Sequence, residues 1–203
     1  MTAVFDYGAG NLRSVANTLE SVSARYEIVS DASGLDRASR IILPGVGHYG
    51  QMLRSLDRMH VREALRDRIL GGTPFLGICL GLQAMFESSE EAPDCGLGIY
   101  GGRVVRFPAS ARVPHMGWNR LEVRGSPRLL RGTGSDPYVY FANSYYVPSE
   151  TAGGKAAALC RYAGLRFCAA LESGNVFGVQ FHPEKSGPLG QRIVSNFLEV
   201  QPC

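Results

Sequence analysis

The sequence predicts an α/β protein in which a mixed central sheet is flanked by helices. Through the first half, short apolar runs alternate with stretches of helical periodicity, the pattern of βαβ units and a mainly parallel sheet. Beyond Gly96 the texture changes to short β-like runs punctuated by Gly and Pro, so this half is expected to add antiparallel strands. A closing amphipathic stretch then packs back on the sheet.

Taken in order, residues 4–7 read as the first strand, and Asn11 opens a helix whose Leu12, Val15, Ala16 and Leu19 share one face. Residues 26–29 and 41–43 read as the next strands, the latter ending in Pro44-Gly45-Val46-Gly47. One helix or two fill 48–70, closed by Gly71-Gly72. Residues 74–78 form a strand that delivers Cys79, and the amphipathic stretch 80–91 is expected to continue as a helix. Strand-like runs follow at 102–107, 119–123, 138–141, 156–162, 168–172 and 176–181. Residues 190–200 carry Ile193, Val194, Phe197 and Leu198 at helical spacing. With no repeat, linker or low-complexity segment, residues 1–203 are expected to form one domain.

An apolar content of 45% with 19% charged residues is a globular composition, and no apolar run reaches the length of a membrane span. The opening Met1-Thr2-Ala3-Val4-Phe5-Asp6 lacks the basic, apolar, small-residue order of a secretory signal, so a soluble, cytoplasmic protein is expected. Five cysteines (Cys79, Cys95, Cys160, Cys168, Cys203) form no CxxC pair and are odd in number, which favours reduced thiols over a zinc ribbon or a disulfide framework. The formal charge of +3 comes from arginines interleaved with acids in 54–68 and 120–131. These read as solvated faces or a partner surface, not as a nucleic-acid stripe.

Chemistry concentrates at Gly77-Ile78-Cys79-Leu80-Gly81. Glycines two residues either side of the thiol let a strand turn sharply into a helix and leave the sulfur exposed at the strand's carboxyl end. A helix N-terminus there would favour thiolate, and its free N–H groups, from Leu80 on, could bind the oxyanion formed on attack at a carbonyl. A base is available in Phe181-His182-Pro183-Glu184: Pro183 biases His182 toward extended backbone, and Glu184, two residues on, can orient its imidazole. A small core cysteine and a surface turn are the competing readings, but the strand-elbow and strand-end contexts together favour a Cys-His-Glu triad. His48, His60 and His115 are weaker bases, and His60 falls on a charged, solvent-facing stretch.

The elbow with Gln83 four residues past the cysteine, together with Gly178-Val179-Gln180-Phe181-His182-Pro183-Glu184, resembles the class I, triad-type glutamine amidotransferases. Within that family, Asp6-Tyr7-Gly8-Ala9-Gly10-Asn11, Pro44-Gly45-Val46-Gly47 and Pro114-His115-Met116-Gly117-Trp118-Asn119 are similar to the glutaminase subunits of imidazole glycerol phosphate synthases. The resemblance spans nearly the whole chain. It implies a flavodoxin-like class I glutamine amidotransferase fold and hydrolysis of L-glutamine to glutamate and ammonia through a thioester on Cys79. His182 would act as base and then acid, with Glu184 orienting it. The oxyanion would be held by N–H groups of Leu80 and of Gly45, Val46 and Gly47. No metal or organic cofactor is implied.

The same resemblance assigns Gln83 and Glu91 to the substrate's amide and amino groups, and the backbone of Asn143, Ser144 and Tyr145 to its carboxylate. For Gln83 the alternative is ordinary helix surface, yet it lies one turn from Cys79 on the same face. Ammonia would pass to a separate (β/α)-barrel cyclase subunit in a heterodimer, with Met116, Trp118, Asn119 and Lys185 facing that partner. For Trp118 core packing is the alternative. The chain departs from the family pattern in carrying Asn143 where His is frequent.

Rival readings are a glutaminase subunit of anthranilate or aminodeoxychorismate synthase, against which the run from Pro114 to Asn119 argues, a similar paralogue serving sugar amination, and a dinucleotide-binding module suggested by Gly8-Ala9-Gly10. In the last, Arg13 occupies the place of the third glycine.

Overall fold

The computed structural model describes residues 1–9 and 11–201. The first half runs β1 (Thr2–Phe5), α1 (Leu12–Ser21), β2 (Tyr26–Val29), α2 (Ala32–Arg37), β3 (Arg40–Leu43), α3 (Tyr49–Arg58), α4 (Arg62–Leu70), β4 (Phe75–Ile78) and α5 (Leu80–Gln83). The second runs β5 (Phe86–Ser89), β6 (Tyr100–Arg106), β7 (His115–Arg120), β8 (Glu122–Val123), β9 (Tyr138–Asn143), β10 (Tyr145–Tyr146) and α6 (Ser149–Ala152), then β11 (Ala156–Tyr162), β12 (Leu165–Ser173), β13 (Val176–Val179) and α7 (Gly187–Leu198).

Eight strands form the central sheet in the order β2-β1-β3-β4-β13-β12-β11-β8. From β2 to β13 every pairing is parallel, and from β13 outward every pairing is antiparallel. The antiparallel strands of this sheet, β12, β11 and β8, all come from the chain past Gly96, which also returns β13 to pair parallel with β4. Parallel strands are buried on both faces and read as continuous apolar runs, as in Phe75-Leu76-Gly77-Ile78, all buried. One apolar layer gathers Phe5, Leu43, Tyr49, Leu53 and Phe75 on the side of α2 to α4. The other gathers Leu19, Leu76, Phe177, Ile193 and Phe197 on the side of α1 and α7. Ile193 and Phe197 are wholly buried, each worth about 1.5–3 kcal/mol of apolar transfer, which docks α7 against the sheet.

Helix starts follow local chemistry. Asn11 caps α1 by accepting from the Ser14 N–H (3.4 Å), Asp31 caps α2 through the Gly34 N–H (2.8 Å), and His48 Nδ1 caps α3 through the Gly50 N–H (3.2 Å). The single β-run expected at 119–123 is two strands in two sheets. The β7 strand pairs antiparallel with β9, β8 pairs with β11 as the edge of the central sheet, and the buried Leu121 between them donates to the Pro137 carbonyl (2.8 Å).

The helix expected over 80–91 is also corrected: α5 ends after one turn and the chain enters β5. The carbonyls needed for further turns are taken by a neighbouring segment. Leu97 donates to Ala84 (2.7 Å), Ile99 to Met85 (2.9 Å) and Gly96 to Glu87 (2.9 Å). A second sheet, β10-β6-β5, grows from that departure.

Candidate active site

The carboxyl ends of β1, β3, β4 and β13 converge, the place where open parallel sheets hold ligands. Here β4 ends in Cys79, which is buried and adopts φ +53°, ψ −102°. A non-glycine residue in that region is strained, and such strain persists where surrounding structure enforces it. The enforcement is visible. The Cys79 N–H donates to the Val179 carbonyl at 2.7 Å. A Cβ on Gly77 would stand 2.5 Å from the Gly81 carbonyl oxygen, and one on Gly81 would stand 2.1 Å from the Leu43 carbonyl oxygen. The flanking glycines therefore serve close backbone approach, while the unusual dihedral falls on the cysteine itself.

His182 follows β13. Its N–H donates to the Tyr140 carbonyl (2.8 Å), and the Ser186 hydroxyl, which accepts the Tyr140 N–H (3.0 Å), donates to the His182 carbonyl (2.7 Å). The imidazole Nδ1 lies 2.7 Å from Glu184 Oε1, with the two side chains only 2% and 3% exposed. Cys79 and the ring line the same cavity. Burial alone would lower the imidazole pKa, but the interactions with Cys79 and with Glu184 together raise it well above the ordinary histidine value. The arrangement sets a thiol beside an imidazole backed by a carboxylate, able to attack a carbonyl carbon and to protonate a leaving amine.

A cavity of about 240 Å³ opens over this group, smaller than sites for drug-sized ligands and suited to one amino acid. Cys79, His182, Gln83, Glu91, Asn143, Ser144, Tyr145, Leu80, Val46, Gly47 and Lys185 all line it. Gln83 is buried, so its alternative as ordinary helix surface does not hold. Its Nε2 donates to the Tyr145 carbonyl (3.0 Å) and to Gln180 Oε1 (3.0 Å). Asn143 Nδ2 donates to the same Tyr145 carbonyl (2.9 Å). Glu91 accepts from the Tyr49 N–H (2.8 Å).

The oxyanion donors expected at Leu80 and at Gly45 to Gly47 are engaged elsewhere in this conformation. The Leu80 N–H donates to the Gly45 carbonyl at 3.4 Å. The N–H on the other side of that same peptide, at Val46, donates to the Tyr7 hydroxyl (3.2 Å), which in turn donates to the Val46 carbonyl (3.1 Å). Burial, foremost, pushes the Tyr7 phenol up to about 12, so it stays neutral and can play both roles. The expected helix dipole at the thiol also shrinks, because α5 has four residues and a single turn sums few peptide dipoles.

Away from the cavity, Met116 and Trp118 project outward from β7, 64% and 56% exposed, which removes core packing as the role of Trp118. Tyr140 meets Trp118 edge-to-face at 6.2 Å between ring centroids, and the Lys185 ammonium lies over the Tyr140 ring at 5.7 Å. These residues form a strip leading to the site. Asn119 is on the opposite face of the strand. Its amide nitrogen contacts His115 Nε2 (3.2 Å) and donates to the Arg161 carbonyl (3.0 Å), and the residue is half-buried.

His60 is exposed, and His115 is buried between Phe141 and Tyr162 rings, far from a base's role. The thiols of Cys79, Cys95, Cys160 and Cys168 are free, while Cys203 and Gly10, including its place in the dinucleotide-site reading, lie outside the described residues. No helix among the described residues is long and apolar enough to cross a membrane.

Sequence reasoning missed Tyr7, Gln180 and Ser186. Tyr7 and Gln180 stood inside quoted motifs, and the two-residue period from His182 back to Gln180 was the available signal.

A strained thiol, a buried His–Glu pair and a small cavity at parallel strand ends describe a cysteine-dependent acyl-transfer enzyme. The model of the class-I glutamine amidotransferase family matches residues 3–200, and the chain belongs to that family. It is 44% identical over 201 residues to the imidazole glycerol phosphate synthase subunit HisH of Methanothermobacter thermautotrophicus, a match covering 98% of both chains. It is 46% identical over 204 residues to the HisH subunit of Halobacterium salinarum, covering 97% of this chain and 91% of that one. A crystal structure of a glutamine amidotransferase superposes with a TM-score of 0.76 at 21% identity, over 98% of this chain and 97% of that one, a likeness of fold alone.

Proposed function

We propose that this chain is the glutaminase subunit of an imidazole glycerol phosphate synthase, acting in histidine biosynthesis as one cytoplasmic glutaminase domain. The observation that carries the reading is the Cys79 thiol, held at a strained elbow beside a buried His182–Glu184 pair and opening on a cavity of amino-acid size. In this mechanism the Cys79 thiolate adds to the carboxamide carbon of L-glutamine. Collapse of the tetrahedral species expels ammonia with a proton from His182 and leaves a glutamyl thioester. His182 then takes a proton from water as it attacks the thioester, and glutamate departs with the sulfur regenerated. Glu184 keeps the imidazole oriented. Gln83 and Glu91 contact the substrate's amide and amino groups, and the Asn143 to Tyr145 backbone its carboxylate. No metal or organic cofactor enters.

Because the Gly45–Val46 peptide presents its carbonyl to Leu80 and its N–H to Tyr7, the oxyanion hole is incomplete. We assign its completion to a turn of that peptide when the partner, a (β/α)-barrel cyclase that consumes the ammonia, assembles with its ligand bound. Met116, Trp118 and Lys185 form the docking strip. The test is glutamate release by the chain alone and with a cyclase subunit and its nucleotide ligand. Cys79→Ser must abolish glutamine-dependent synthesis by the complex and spare synthesis from added ammonia. Glutaminase activity retained in that variant rejects the nucleophile, and a partner that uses chorismate in place of a barrel cyclase rejects the pathway.

A further inference from the structure

We propose that the Gln180 carboxamide holds the Cys79 sulfur in its reactive thiolate form, and that the orientation it needs is imposed from the Tyr145 carbonyl through the Gln83 amide. The proposal rests on Cys79 being the nucleophile and adds a residue to that site.

Gln180 is wholly buried and lies beneath the sulfur. It therefore acts on the reaction through Cys79 and Gln83, and not by lining the substrate cavity. Its backbone is fixed by donation to the Ala169 carbonyl (2.9 Å). Gly178 lies on the side of β13 that meets α5, and Gln180 and His182 follow at two-residue spacing just past the strand's end. Gly178 leaves that face open: a Cβ there would stand 2.5 Å from Leu82 Cδ1, so α5 settles onto it and Gln83 comes within reach of Gln180. The Gln180 Nε2 lies 3.5 Å from the Cys79 sulfur, a hydrogen-bonding distance for that larger atom.

Which end of each amide faces which neighbour follows from the chemistry of the chain of contacts. The Tyr145 carbonyl can only accept, so Gln83 must turn its NH₂ group toward it (3.0 Å). The second hydrogen of that group then points at Gln180 (3.0 Å), which must answer with its oxygen. The remaining end of Gln180, the NH₂, is left facing sulfur. Reversing Gln180 would set two NH₂ groups against each other and press a carbonyl oxygen on a thiolate. Asn143 donates to the same Tyr145 carbonyl (2.9 Å) and steadies the anchor. An N–H donated to a thiolate is a charge-assisted bond, and with only one turn of helix behind the elbow this contact supplies part of what a longer helix dipole would give.

The experiment is site-resolved alkylation of Cys79 with iodoacetamide across pH, read by mass spectrometry so that Cys95 does not confuse the rate. Folding is checked by circular dichroism. In Gln180→Leu the midpoint of the pH profile is expected to rise by about one unit, the scale of one lost charge-assisted hydrogen bond, with about a tenfold slower reaction below it. Gln83→Met, which removes the anchor and leaves Gln180 in place, should raise the midpoint in the same direction. A Gln180→Leu midpoint equal to that of the wild type overturns the sulfur contact, and an unshifted Gln83→Met midpoint overturns the relay.

In the unmutated chain, the Gln180 side-chain amide resonances must titrate with the thiol. Resonances flat across that titration overturn the proposal however the variants fold. These failures are separable from failure of the nucleophile assignment, which would show as glutaminase activity surviving in Cys79→Ser.

Discussion

Tyr7→Phe removes one hydroxyl and leaves the buried ring in place. That hydroxyl makes two hydrogen bonds to one residue, accepting the Val46 N–H at 3.2 Å and donating to the Val46 carbonyl at 3.1 Å. The first holds the Gly45–Val46 peptide with its N–H away from Cys79, and the second holds the adjoining Val46–Gly47 peptide, so the two together latch the segment. At a net worth of about 1 kcal/mol each, their loss destabilises the latched arrangement by about 2 kcal/mol. The remaining tie, the Leu80 N–H to the Gly45 carbonyl, is long at 3.4 Å and stays. A 2 kcal/mol bias multiplies the minor, N–H-inward population by roughly thirtyfold if nothing else resists, and by about fivefold if half the bias is absorbed elsewhere.

Since only the inward arrangement can stabilise the oxyanion, kcat of the isolated chain should rise by that factor. KM should hold, because Tyr7 does not line the substrate cavity. The assay is glutamate release by the isolated chain, paired with the same measurement in the assembled, ligand-bound complex, where variant and wild type should agree. An isolated Tyr7→Phe chain that is folded, alkylates normally at Cys79 and hydrolyses glutamine no faster than wild type would refute the latch.

Trp118→Ala should weaken assembly with the proposed cyclase partner by tenfold or more, as about 2 kcal/mol aromatic anchors do, while leaving the melting temperature of the free chain nearly unchanged because the indole is 56% exposed; isothermal titration calorimetry and thermal melts read both. Lys185→Glu should slow association and invert its salt dependence, measured by stopped-flow at several ionic strengths. Burial lowers the His115 pKa to about 4, so the unfolded chain binds a proton there that the folded chain refuses. Stability from this group is present above the ordinary imidazole value and is lost as pH falls toward 4, by about 3 kcal/mol at most. His115→Phe, which keeps the stack with Phe141 and Tyr162, should flatten that acid limb in urea titrations, and an unchanged limb would contradict it.

What was legible in the sequence is what period and backbone chemistry encode. Leu12, Val15, Ala16 and Leu19 announced α1, and Asn11 its cap. Pro74 to Ile78 announced a strand, and Gly77 and Gly81 a sharp turn at its end, where the structure gives the glycines close backbone approach instead and puts the unusual dihedral on Cys79. The residues at 80–91 failed to show their fold because the competitor for their carbonyls, the segment from Gly96 to Ile99, is a tertiary partner that local propensity does not see. Likewise 119–123 looks like one strand until Leu121 is known to be an anchor between two sheets.

The same distinction separates the parts of the site. Cys79, His182 and Glu184 were readable because each is a reactive side chain at a strand end. The residues that decide whether they react were not, because amides and phenols carry no such signature, and their meaning lies in who donates to whom. Tyr7 and Gln180 touch opposite ends of the same chemistry: one turns an oxyanion donor away, the other offers a donor to the nucleophile. A site wired in this way can keep its sulfur charged and its substrate cavity open while withholding the last N–H. Under the proposed function, that arrangement suits a chain whose ammonia is handed to another subunit.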